Sequence, residues 1–176
     1  GLSASAYFGG KAYFASQQVE AEPLLATART EARQGDLAQL VQAEASLRGA
    51  RDLRTHAAEI QALLLFVQSE RALEDGVGDV AALRTTLAAA QGVGVHPAFV
   101  SSAEAIIAFS EHDTARASTA LAAALSAAPE DAFILYIAGR LGQRLEAADA
   151  GAQLETASQR DPALTAAVLA LAETEA

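Results

Sequence analysis

Cysteine is absent from this 176-residue chain. That excludes a disulfide, a thiolate nucleophile and a cysteine-held zinc ion. It leaves the compartment open, because a cysteine-free chain suits the cytoplasm and an oxidising space alike. Lysine is nearly absent as well, with Lys11 the only one. Basic charge is short throughout: 12 Lys and Arg stand against 22 Asp and Glu, a net charge of −10. The shortage deepens along the chain, since residues 97–176 hold four basic and eleven acidic side chains. A surface of that sign repels phosphate backbones and argues against nucleic acid as a partner. Aromatics make up only 5% of the residues and strand formers are few, which favours helix throughout. No run approaches the ~18 apolar residues of a membrane-spanning helix. No secretory signal is visible, and the first residue is Gly, so a mature fragment of a longer product is expected.

What the chain does have is alanine, leucine and a repeat. Pro97, Pro129 and Pro162 stand 32 and then 33 residues apart. Between them the text runs as a helix, a short polar turn, a second Ala-rich helix, and then Ala-Pro or Asp-Pro. A period in the thirties marks stacked helix pairs, each of which buries its apolar face against the next. The first pair is expected at 98–110 and 114–127, turning at Glu111-His112-Asp113. The second is expected at 131–144 and 146–160. A last helix from Pro162 to about Thr174 would cover the open edge of the final pair.

The first 96 residues are less regular. Residues 1–16 hold four of the nine aromatics, Tyr7, Phe8, Tyr13 and Phe14, beside Lys11. Such a stretch reads either as a juxtamembrane segment or as a leading helix packed on the first pair. From Gln17 a helical run leads to Pro23, which suits the first turn of a new helix. Leu24, Leu25, Ala28 and Ala32 mark its face. Gly35-Asp36 ends it and caps a second helix carrying Leu37, Leu40, Val41 and Leu47, a stripe that Glu44 interrupts. The helix from about Asp52 to Leu73 is the most apolar, and burial on most sides is the expectation for it. Glu74 to Asp79 is a turn, with Asp79 the cap of a helix reaching Gln91. The connection from Gly92 to Pro97 is the candidate kink between two halves.

The second repeat resembles the tetratricopeptide repeat. Ile134, Ala138 and Leu141 follow that family's large–small–large order, and Ala150, Leu154, Ala157 and Pro162 follow its second helix. In the preceding repeat, Ala117, Leu121, Ala124 and Pro129 match, but Ser101 stands where a large residue is usual. The family's turn glycine is missing from both repeats. The resemblance covers about 97–162 and only loosely 17–96. It implies an all-α domain over 17–176: a right-handed superhelix of antiparallel helix pairs, with 163–176 as a capping helix.

Chemistry is sparse. Gly76-Val77-Gly78 and Gly92-Val93-Gly94 are glycine turns, for no strand precedes either. His56 and Glu59 share a helix face but have no second ligand pair. Arg48, Arg51 and Arg54 form the one basic cluster, fit for a carboxylate or for a solvated helix junction. No cofactor, metal site or catalytic group is expected. The resemblance instead implies a protein or peptide partner held along the first helix of each pair. Carried onto this chain, that groove comprises Phe99, Ser102, Ile106, Phe109, Leu135 and Gly139, with Arg140 or Gln143 fixing the partner's backbone. Three alternatives stand beside it: a membrane-tethered sensory or envelope-assembly module whose spanning helix precedes Gly1, a small-molecule-binding helical bundle or enzyme for which no residue asks, and self-association through an exposed end of the stack.

Overall fold

The computed structural model describes residues 21–50, 57–75 and 80–174. Every element among them is helical, and no strand occurs there. Residues 21–32 form α1. Then come α2 (Leu37–Ala50), α3 (Ala57–Asp75), α4 (Val80–Ala90), α5 (Pro97–Ser110), α6 (Thr114–Ala127), α7 (Ala132–Arg144), α8 (Ala150–Arg160) and α9 (Thr165–Thr174). The 1–16 segment, the Arg51, Arg54 and His56 positions, and the turn at 76–79 with its Asp79 cap lie outside the described residues.

Local chemistry sets the boundaries. The N-termini of α2, α5, α6 and α7 are each held by a side chain that takes an otherwise unpartnered backbone N–H, whereas Asp149 makes no such bond at α8. Asp36 accepts from Ala38 N at 2.7 Å. His96 Nδ1 accepts from Ala98 N at 3.3 Å, with Pro97 in the first helical turn. Asp113 accepts from Arg116 N at 3.0 Å, and Asp131 from Phe133 N and Ile134 N at 2.9 and 3.1 Å.

The C-terminal ends of α5 and α7 close alike. Asp113 N donates to Ala108 O and His112 N to Phe109 O; Ala147 N donates to Gly142 O and Glu146 N to Gln143 O. This paired closure places one residue in the left-handed region, normally a glycine. Here His112 and Glu146 occupy it, at φ 63° and 57°. Closure at Glu146 also delays α8, which starts at Ala150 rather than at 146.

The pairs form as expected. α5 packs chiefly on α6, and α7 on α8. Within the second pair the close approach falls on glycines. A β-carbon placed on Gly139 would lie 2.5 Å from Leu154 Cγ, and one on Gly142 would lie 3.0 Å from Ala150 Cβ. α3 pairs with α4 and is buried on most sides, with Leu63 through Glu70 all inaccessible. α2 departs from its predicted stripe. Leu40, Ala43, Glu44 and Leu47 face inward, while Leu37 and Val41 remain 44% and 46% exposed. Glu44 turns inward because three donors meet it there: Arg48, Gln68 and Arg71. A buried carboxylate is tolerated when it is paired in this way.

Beyond the pairs, the first helices converge. α3 packs on α5, α5 on α7, and α3 also touches α7 directly. At the outer edge α9 packs on α8 and α7. It also returns to the turn after α1, where Ala166 N donates to Arg33 O at 3.1 Å. Thus the last helix meets the turn after α1, and the main core cluster runs from Leu25 to Ala170, with a small second cluster at Ala98, Ala124 and Ile134.

Candidate functional site

Beside the Glu44 cluster, a second set of polar contacts forms where α3 meets α7. Phe66 begins the contact, its ring 4.4 Å from that of Phe133 and 6.0 Å from that of Tyr136. One turn on, the Tyr136 hydroxyl donates to Glu70 Oε1 at 2.6 Å. A further turn on, Arg140 pairs with Glu74, and it reaches Glu173 of α9 at 2.9 Å. At the end of α7, Arg144 donates to Leu73 O at 2.8 Å. Both Glu70–Tyr136 and Glu74–Arg140 link residues 66 positions apart. The partners advance by four residues on each helix, so α3 and α7 run in the same direction. The offset is close to twice the proline spacing.

The junction of α1 with α9 completes this seam. Arg33 Nε donates to Asp161 Oδ2 at 2.7 Å, and its guanidinium carbon lies 5.8 Å from the Phe133 ring centroid. Gly35 has φ 70°, and a β-carbon there would sit 2.5 Å from Ala166 Cβ and 3.3 Å from Glu70 Oε1. Only a glycine permits both the left-handed turn and that approach.

Electrostatics at the seam follow from burial. Glu70 is 1% exposed, and its pKa is pushed up from 4.5 to about 7. Burial dominates, and the Tyr136 hydrogen bond and the Arg140 charge offset only part of it. Burial also drives the Tyr136 phenol well above its ordinary value, and the adjacent Glu70 adds to this. Both groups are therefore proton holders at neutral pH, Tyr136 as donor and Glu70 as a carboxyl close to its midpoint.

Above the seam lies a cleft of about 680 Å³. It is lined by Glu74 from α3, Arg140, Gln143 and Arg144 from α7, Glu146 and Ala147 from the turn, Ala150 and Gly151 from α8, and Glu173 from α9. Gln143 is oriented by donating to Ala170 O at 3.2 Å. A smaller cavity of about 90 Å³ opens beside Gly35, Tyr136 and Leu169 and shares Glu74, Arg140 and Glu173 with the cleft.

The eight predicted groove residues divide accordingly. Ser102, Ile106, Leu135 and Gly139 are buried, and Phe99 and Phe109 are partly buried against the core. None of those six lines the cleft. The reason is that α3 and α7 touch, so no trough is left open between the first helices. Gly139 is corrected further: it faces α8, where Leu154 and the Ala150 carbonyl press on it. Ser102 donates to its own helix at Phe99 O, 2.9 Å away. Arg140 and Gln143 alone of the eight reach the cleft, and Arg140 is already paired with two carboxylates.

Glu70, Tyr136 and Glu74 were not among the predicted site residues. The signal that finds them is the double-period offset, which sets an acceptor on α3 opposite a donor on α7 twice in succession. Among the described residues no group of His, Asp and Glu is placed to hold a metal ion. Nor is any described helix long and apolar enough to cross a membrane.

The molecule is thus an all-helical array of helix hairpins with a polar seam and a polar cleft. Protein-family models, curated proteins and solved structures were each compared with the chain, and none matches it.

Proposed function

We propose that this protein is a non-catalytic, tetratricopeptide-like scaffold, a right-handed superhelix of antiparallel pairs, that holds a segment of a partner protein. The place is the cleft above the seam. The observation that carries the reading is the position of that cleft at the end of α7, where Arg140 and Gln143 stand. A peptide laid there meets guanidinium and amide groups suited to backbone and side-chain hydrogen bonds. Three carboxylates, Glu74, Glu146 and Glu173, outnumber the two guanidiniums of Arg140 and Arg144. A basic, extended segment is therefore the favoured occupant, and the chain's net charge of −10 steers it inward.

Gly151 provides the test. It lines the cleft, and a β-carbon there would meet nothing within 4 Å, so the fold accepts a side chain at that point. Peptides selected by display against the folded chain should be rich in Lys and Arg. Gly151→Arg should weaken them at least tenfold while the melting curve stays in place. Selection of acidic or wholly apolar peptides, or binding indifferent to Gly151→Arg, would sink the proposal.

A further inference from the structure

Glu70 is a carboxyl enclosed by the elements that close the molecule. It belongs to α3, lies against Tyr136 of α7, and sits beside the Gly35 turn that packs on Ala166 of α9. Its Oε1 accepts from Tyr136, while its Oε2 has no hydrogen-bond partner among the described residues. The surrounding charges do not neutralise it. Arg140 attracts it but is held by Glu74 and Glu173. Glu74, one turn along α3, repels it. Arg33 of the adjoining turn is engaged with Asp161, and Arg71 of α3 with Glu44 of α2. The part of α9 buried nearest the seam, Ala166, Ala167 and Ala170, carries no charge. An ionised carboxyl with one oxygen unsatisfied in such a place costs far more than a neutral acid.

We propose that Glu70 is a proton-dependent latch: as the neutral acid it lets α3, α7 and the α1–α9 junction stay closed, and as the carboxylate it loosens them. The group titrates in the useful range because burial lifts its pKa from 4.5 to about 7. The folded value lies above the unfolded one, so the stability contributed by the neutral form is full below about pH 4.5. It is lost as pH rises to about 7. From well below pH 4.5 to well above pH 7 the unfolding equilibrium constant should rise about 300-fold on account of this group. Glu74, Arg140 and Glu173 line both the cleft and the small cavity at the seam, so opening would reshape the cleft. That consequence rests on the proposed function, whereas the latch itself does not.

The absence of cysteine makes the test clean. Ala170→Cys places a thiol in the closed seam, and Ala117→Cys places one in the buried face of α6. Thiol-labelling rates in the folded chain are normalised to the rate of each variant in urea at the same pH. The Ala170→Cys rate should rise at least tenfold from pH 6 to pH 8, while the Ala117→Cys rate stays level. Adding Glu70→Gln should flatten the Ala170→Cys response. A level Ala170→Cys rate, or a rise that survives Glu70→Gln, overturns the latch. If Ala170→Cys does not fold by far-UV dichroism, amide exchange in α7 and α9, corrected for intrinsic base catalysis, decides the matter. The unaltered chain is then compared with Glu70→Gln, and the same two outcomes apply. Peptide binding lost while the labelling response persists would count against the cleft alone.

Discussion

The α7–α8 hairpin and the α3–α7 seam join helices by opposite means. The hairpin closes through small residues: Gly139 and Gly142 receive Leu154 and Ala150 at contact distance. The seam is built from rings, a carboxyl, a phenol and a guanidinium. Close packing without polar atoms stabilises at any pH and specifies only shape. A buried polar contact is favourable only while every group is satisfied, and it therefore responds to protons. The hairpin is thus the fixed part of the molecule, and the seam is the part that solution conditions can move.

Substitutions can test that contrast. The largest effect is expected at Gly35→Ala. It imposes left-handed strain and drives a methyl into Ala166, together costing about 3 kcal/mol or more in urea unfolding. A loss below ~1 kcal/mol would mean that the α1–α9 junction yields freely and the seam is not closed there. Next is Gly139→Val, which overpacks the hairpin against Leu154 and should cost about 2 kcal/mol. That loss should be the same at pH 5 and pH 8, because no titrating group touches it; a pH-dependent loss would blur the contrast between the joints.

Tyr136→Phe comes third. It removes the hydrogen bond that Glu70 Oε1 accepts, and a cost of about 1–2 kcal/mol is expected. The Tyr136 bond lowers the Glu70 pKa, so its removal should move the stability midpoint to higher pH. A midpoint that stays put would show that the pH response belongs to another group. The smallest effect is expected at the two turns. His112→Gly and Glu146→Gly relieve left-handed strain but add chain entropy in the unfolded state. Each should gain up to about 1 kcal/mol, read from the same unfolding curves. A loss instead would show that these side chains hold their turns in ways the backbone does not reveal.

Much of the helical layout was legible in the residues, and the reasons are local. Pro97, Pro129 and Pro162 each fall between helices or in a first turn, because proline lacks the N–H that a helix interior needs. Asp36, Asp113 and Asp131 mark N-termini because their carboxylates reach N–H groups two or three residues on. Burial of α3 could be read from an apolar run too broad for one face. The inner face of α2 was misread, because Leu37 and Val41 follow helical spacing as well as Leu40 and Leu47 do. Spacing alone does not show which stripe meets a neighbour, and Glu44 was drawn inward by Gln68 and Arg71 from another helix. The groove residues were carried over on the expectation of an open trough. Direct contact between α3 and α7 leaves most of them inside, and only Arg140 and Gln143 reach a cleft.

By itself the sequence determined where most helices start and stop, how the helices of the two C-terminal pairs combine, and the acidic character of the surface. Those properties depend on neighbours within about one repeat, through backbone capping, helical periodicity and simple charge. Only the tertiary structure decided that α3 lies on α7, that α9 returns to Gly35, and that Glu70 is sealed in with one oxygen unmatched. Such contacts span 66 residues or more. They join elements far apart in the chain, and no spacing within one helix pair encodes them.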